Sequence, residues 1–163
     1  MAKGFTLIEL LFVFSVFAVL STVGVASFVT YSRAQTLSVA TLDLSAMLQV
    51  AKSRASSQVK PSNCGANTLD GYRVVICGLA GSICPTASTY ELRAVCGPTE
   101  SIYATKKLPT SITFESNTSQ TTSVSYMFKT ISGGVDGAGK VTLRGYGNTK
   151  SITVDVTGNI HID

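Results

Sequence analysis

GFTLIELLFVFSVFAVLSTVGVASF, residues Gly4 to Phe28, is the stretch that decides the fold. After Gly4 the residues are apolar over about the 20 positions that a bilayer-spanning helix needs. One charge interrupts them, Glu9. A carboxylate in hydrocarbon costs about 2.5–3.5 kcal/mol or more at a helix centre. Glu9 lies near one end, where the cost is smaller, but it still calls for a cationic partner. Only Met1-Ala2-Lys3 stands ahead of Gly4, and Lys3 is the single charge there. The positive-inside tendency then leaves the N-terminus in the cytoplasm and sends the rest of the chain across.

Beyond Tyr31 the residues turn polar but keep helical spacing. Leu37, Ala40, Leu44, Met47, Leu48, Ala51 and Ala55 recur at steps of three and four and form one stripe. Arg33, Gln35, Asp43, Gln49 and Lys52 fall mostly off it. Such a stripe is core contact. Lys60 is biased to extended backbone by Pro61, so a single helix is expected from about residue 6 to about residue 58. Gly24 falls inside it, where glycine costs about 1 kcal/mol relative to alanine and marks a local flexing point.

After the helix the period changes. Tyr72–Cys77 and Tyr90–Cys96 read as strands of one hairpin with a long loop, the second with Tyr90, Leu92, Ala94 and Cys96 on one face. A short strand is expected at Ile102-Tyr103-Ala104, then others at Ser111–Phe114 and Ser123–Phe128. Glu115–Thr122 is a Ser/Thr/Asn loop with a glycosylation-type Asn117-Thr118-Ser119, and Ser132–Gly139 is turn-rich. Lys140–Arg144 and Ser151–Val156 pair across Gly145-Tyr146-Gly147-Asn148, and Asn159–Ile162 closes the chain. One long helix followed by strands argues for an α+β fold with an antiparallel sheet domain packed on the helix stripe.

The chain has 163 residues, of which 45% are hydrophobic, concentrated toward the N-terminus; this leaves one modest domain beyond the anchor. The formal charge of +4, or +3 without Lys3, is too diffuse to announce nucleic acid. The four cysteines, Cys64, Cys77, Cys84 and Cys96, lie on the side of the membrane that permits disulfides. None forms a Cys-x-x-Cys pair, and the one histidine, His161, is remote, so no metal site is indicated. Four cysteines allow three pairings. The hairpin geometry favours Cys77–Cys84 closing its loop and Cys64–Cys96 tying the post-helix segment to the second strand. Gly134-Val135-Asp136-Gly137-Ala138-Gly139-Lys140-Val141 nearly spells a phosphate loop, but it lacks the final Ser or Thr and leads into a strand rather than a helix. His161 has no nucleophile to serve and reads as a solvent-facing strand residue. Nothing here calls for a cofactor or argues for an enzyme.

Gly4-Phe5-Thr6-Leu7-Ile8-Glu9-Leu10-Leu11 resembles the N-terminus of type IV prepilins and type II secretion pseudopilins. The resemblance implies that a prepilin peptidase cuts between Gly4 and Phe5 and that Phe5 is N-methylated. It also implies that Glu9 meets the Phe5 amine of a neighbouring subunit as the filament grows. An ordinary secretory signal has a shorter apolar region and places no Glu at its start. A plain anchor gives no reason for Gly4-Phe5 or Glu9. On this basis residues 1–4 are a leader, residues 5–30 the transmembrane or filament-core half of the helix, and residues 31–163 a pilin globular domain. The implied course is a single-pass protein of the inner or cytoplasmic membrane, with its C-terminal domain outside, that later joins an extracytoplasmic filament. Its partners are other pilin subunits, the peptidase, the membrane and a pilus or secretion platform.

A second resemblance, to the GspH/FimT group of minor pilins and pseudopilins, rests on three places. They are Leu48–Ala55, Val141-Thr142-Leu143-Arg144 after a glycine-bearing turn, and the closing Ile152–Ile162. Members of that group that bind DNA carry Gly-Arg-x-Arg near the end. Here the matching residues are Gly158-Asn159-Ile160-His161, flanked by Asp155 and Asp163. Phosphate contacts need Lys or Arg, which leaves nucleic acid without its grip at this ending. Lys106, Lys107, Lys140, Arg144 and Lys150 read as scattered solvent charges. Three filament roles stay open: a pilus tip or priming subunit, a type II secretion component and a DNA-uptake pilin. A membrane-anchored adhesin that never polymerises is the alternative of another class.

Overall fold

Helix α1 runs from Leu7 to Ser56 in a computed structural model that describes residues 6–78, 86–115 and 123–163. The chain divides into two compact units, Met1–Gln35 and Thr36–Asp163. The first contributes the apolar part of α1, with residue 24 in helical backbone.

In the second unit the expected stripe is the buried one. Leu37, Ala40, Leu44, Met47, Leu48, Ala51 and Ala55 are all buried, and Thr41 and Ser45 join them. The Thr41 hydroxyl enters the core because it donates to the Leu37 carbonyl at 2.8 Å, which leaves no donor unsatisfied. A 3-10 turn at Ser62–Cys64 follows the helix.

Among the described residues nine strands complete the unit: β1 Gly71–Cys77, β2 Thr89–Cys96, β3 Thr99–Lys107, β4 Ile112–Glu115, β5 Ser123–Lys129, β6 Val135–Asp136, β7 Gly139–Gly145, β8 Asn148–Val154 and β9 Ile160–Ile162. They form two antiparallel sheets, one ordered β3-β2-β1-β5-β6 and the other β4-β7-β8-β9. Tyr72, Val74, Ile76, Leu92, Tyr126 and Phe128 of the first share one core with Val141, Leu143, Ile152 and Val154 of the second and with the helix stripe. The α+β arrangement thus has its strands split between two sheets.

Several elements differ from the sequence expectation. The strand expected at Ile102–Ala104 is the nine-residue β3. Its hairpin with β2 closes through Gly97-Pro98, since Cys96 pairs with Thr99. Gly97 has φ of 58°, at the position a II′ turn reserves for glycine. Gly-Pro therefore joins two strands here. The turn-rich Ser132–Gly139 contains the short β6. The β7–β8 turn needs only Tyr146-Gly147, both at positive φ as in a type I′ turn, so β8 begins at Asn148 and ends at Val154. The stretch 116–122, with Asn117, lies outside the described residues.

Strand alternation also hides a charged layer. Arg73 and Arg93 stand directly opposite each other on β1 and β2, a pairing that repels unless carboxylates intervene. Buried Glu91 accepts from Arg93 at 2.6 Å, Glu100 lies 3.5 Å from Arg93, and Glu100 also pairs with Arg73.

Among the described residues one core hydroxyl stands without a partner. The Tyr126 hydroxyl is fully buried and has no hydrogen-bond partner among the described residues. Desolvation pushes its pKa up to about 12. A buried donor left unpaired costs about 1–3 kcal/mol. Tyr126→Phe keeps the ring and removes the orphan hydroxyl, so it should raise unfolding stability by about 1 kcal/mol. A urea titration of the full chain reads this as a higher midpoint; a midpoint at or below the parent's contradicts it.

A candidate processing and assembly segment

Helix α1 opens immediately after Thr6. The Thr6 carbonyl accepts the N–H of Glu9 at 3.1 Å and of Leu10 at 3.2 Å. Glu9 is therefore in the first turn, where backbone N–H groups lack helical partners and the helix dipole favours a carboxylate. Thr6 and Glu9 also stand at the spacing of a capping box. Thr6 was not singled out in the sequence, although that spacing makes it legible. Gly4 and Phe5 lie outside the described residues.

Glu9 is exposed, and so are Leu7, Ile8, Phe12, Phe14, Phe17 and Phe28. The most apolar part of α1 buries none of its described residues within the chain, and α1 is long and apolar enough to cross a membrane. Its hydroxyls suit an apolar surrounding. Ser15 donates to the Phe12 carbonyl at 2.7 Å, Ser21 to Phe17 at 2.8 Å and Thr22 to Val19 at 2.8 Å. Each is satisfied on its own helix, which removes most of the cost of leaving water.

The cysteines sit as follows. Cys64, in the 3-10 turn, is bonded to Cys96 at the end of β2, with Cα atoms 5.6 Å apart. Cys77, at the end of β1, is disulfide-bonded. The pairing Cys77–Cys84 cannot be placed on described residues, because Cys84 lies outside them. Among the described residues no cluster of metal-ligating side chains occurs.

Two side-chain contacts tie α1 to β3. Lys106 pairs with Asp43 at 2.8 Å, and the Arg54 guanidinium lies 4.0 Å from the Tyr103 ring centroid. Tyr90 approaches the same Asp43 at 3.5 Å, and burial followed by that negative charge pushes its pKa up to about 12. The five basic residues weighed in the sequence do not gather. Lys106 and Lys107 end β3 in one sheet, while Lys140, Arg144 and Lys150 lie in β7 and β8 of the other. Lys140 is 3.9 Å from Asp163 and Arg144 is 3.7 Å from Glu115. His161 is an exposed residue of β9.

With that geometry in place, the comparisons with known families bear on the N-terminus. Residues 1–25 match the prokaryotic N-terminal methylation motif. The match supports a type IV pilin-like precursor and, with it, assembly with other pilin subunits and processing by a prepilin peptidase. No curated protein and no solved structure matches the chain.

The closing turn has its own electrostatics. Asp155 accepts from the Thr157 hydroxyl at 2.7 Å, the N–H groups of Thr157 and Asn159 at 2.8 Å each, and the Asn159 amide at 3.0 Å. These bonds, the Thr157 hydroxyl first, favour the ionised carboxylate and pull its pKa from 3.8 to about 2. A depressed carboxylate stabilises the fold above its ordinary pKa, and that stability is lost as pH falls through the folded value. The window here lies between 3.8 and about 2. Asp155→Asn should therefore shrink the loss of stability on acidification, read by urea midpoints at about pH 6 and about pH 2.5. Equal losses in variant and parent contradict the assignment.

Proposed function

We propose that this chain is a structural filament subunit, a minor pilin or pseudopilin of a type IV pilus or type II secretion pseudopilus. The observation that carries the reading is an apolar helix with no cover among the described residues and one carboxylate, Glu9, in its first turn. In this reading residues 1–4 are a leader, residues 5–30 enter first the membrane and then the filament core, and residues 31–163 face outward. A prepilin peptidase cuts between Gly4 and Phe5, and Phe5 is N-methylated. The Phe5 ammonium of one subunit and the Glu9 carboxylate of another then offset each other's desolvation, which neither bears alone. The path is insertion in the inner or cytoplasmic membrane with the globular part outside, followed by extraction into the filament.

An anchored binding module that never polymerises leaves Glu9 without a role. A DNA-uptake role is less supported, because Lys140 and Arg144 already face Asp163 and Glu115 and the ending carries no arginine.

The decisive measurement is the mass of the N-terminal peptide from sheared filaments and from membranes of the native host. A chain starting at methylated Phe5 in the filament fraction is the expected result. A chain still starting at Met1, or one cut beyond the apolar run and found only in solution, overturns the reading. Glu9→Ala should spare membrane insertion and cut filament incorporation by roughly tenfold or more, since a buried charge left alone costs several kcal/mol. Undiminished incorporation contradicts the pairing.

A further inference from the structure

Between Glu9 and Tyr31, residues 10–30 of α1 carry no charge. At 1.5 Å per residue this run is about 31 Å long, close to the hydrocarbon core of a bilayer at roughly 30 Å. The match leaves little excess length for tilting or local thinning to absorb. The two ends of the run differ. At its start stands one carboxylate, Glu9, in the first helical turn. At its far end the change of character is complete within four residues, Thr30-Tyr31-Ser32-Arg33.

Four consecutive residues spread around the whole circumference of a helix, because each is turned by about 100° from the last. A polar or amphipathic side chain therefore stands on every side of α1 at this level. Tyr31 is 68% exposed, and Thr30, Ser32 and Arg33 are exposed with it. Phe28 and Val29, just ahead, are exposed and wholly apolar, so the collar is a sharp boundary. Its residue types suit a membrane surface. A tyrosine ring stays with the acyl chains while its hydroxyl reaches the headgroups. An arginine carries its guanidinium to the same level along an apolar stem. Within the run there is no comparable stop. Ser15, Ser21 and Thr22 donate to carbonyls of their own helix, so they pass through hydrocarbon with no donor unpaired.

We propose that the collar Thr30–Arg33, chiefly through Tyr31 and Arg33, fixes the depth of α1 in the bilayer, with lipid headgroups of the outer surface as its partners. A shift of one turn, about 5.4 Å, toward the cytoplasm draws the phenol and the guanidinium away from those headgroups. A shift the other way draws Glu9 into hydrocarbon. The helix therefore has one setting, with Glu9 at the cytoplasmic boundary and Tyr31 at the outer one. Phe5 stands four residues ahead of Glu9 in the sequence, so the same setting keeps the Gly4–Phe5 bond on the cytoplasmic side. Tyr31 and Arg33 are then positioning residues for processing, acting from the far end of the helix. That consequence rests on the filament-subunit reading above; the depth itself does not.

The chain contains no tryptophan, so a single introduced indole reports depth without background. Phe28→Trp places it within one turn of Tyr31, and Leu20→Trp places it at the middle of the run. Each full chain is reconstituted in phosphatidylcholine–phosphatidylglycerol vesicles whose acyl chains are brominated either near the headgroup or near the chain end. Quenching by the two lipids is then compared. The expected result is stronger quenching by the shallow bromines at position 28 and by the deep bromines at position 20. Tyr31→Leu and Arg33→Leu together lengthen the uncharged run to residues 10–34, about 38 Å. Position 28 then moves inward, by sliding or by tilt. Its deep-to-shallow quenching ratio should rise about twofold or more, while position 20 stays deep. Each single substitution should give part of that change, and Arg33→Lys, which keeps the cation, should give none. An unchanged ratio at position 28 in the double variant overturns the proposal. So does an equal change in Arg33→Lys, or a parent helix quenched by neither lipid. The vesicles hold no peptidase and no filament, so a chain left uncut in its host sinks the subunit reading and leaves this result standing.

Discussion

From Thr36 to Ser56 the helix α1 buries a stripe against two sheets, while from Leu7 to Phe28 its described side chains are all exposed among the described residues. That imbalance constrains everything else. Each large aliphatic or aromatic side chain left in water forgoes about 1.5–3 kcal/mol. A domain whose net stability is about 5–15 kcal/mol cannot carry many of them alone. Lipid or neighbouring helices would suit such a surface, consistent with the membrane anchoring of a pilin-like precursor. The helix is prepared for this, since Ser15, Ser21 and Thr22 satisfy their hydroxyls on its own carbonyls. Glu9 is the exception, a charge that neither lipid nor the described part of the chain neutralises.

The unit Thr36–Asp163 holds together by itself. Its core draws on one helix stripe and the inner faces of both sheets. The Cys64–Cys96 bridge closes a separation of 32 residues, a loop for which chain entropy suggests roughly 3–4 kcal/mol. It pins the post-helix segment, which has no regular structure beyond a 3-10 turn, to the end of β2. The long edge strand β3 is managed in two ways. Leu92 and Arg93 of β2 face Ala104 and Ile102, so Tyr103 is an extra residue of β3 that breaks the β2–β3 register, and Tyr103 and Lys106 lean on Arg54 and Asp43 of the helix. Bulges and edge lysines discourage pairing with another strand.

What could be read in the sequence follows from period. A stripe from Leu37 to Ala55 at helical steps has one interpretation, and Pro61 sets its limit, so the helix was legible nearly to the residue. Tyr72–Cys77 and Ser123–Phe128 were legible because β-branched and aromatic residues crowd them. β3 was obscured because Thr99–Lys107 is an exposed edge, where no buried face imposes alternation, and because Gly97-Pro98 reads as a break unless the II′ turn is foreseen. The division into two sheets was not legible, since strand pairing across Gly71 and Lys129 is long-range and leaves no local signal. At the N-terminus the position of Glu9 was plain. Its place in the first helical turn depended on Thr6, whose capping spacing is legible but stands in a run that otherwise says only membrane.

The net charge of +4 is the feature most easily misread. Lys106 faces Asp43, Lys129 faces Asp136, Lys140 faces Asp163 and Arg144 faces Glu115. Exposed pairs of this kind contribute only about 0–1 kcal/mol each to stability. Their effect is on the surface field, because each cation carries its counter-charge within 4 Å or less. A phosphate seeking those side chains has to displace a carboxylate that stays beside it and repels it, so the gain from releasing counterions is largely cancelled. The surplus of basic residues is spread over two sheets and a helix rather than focused.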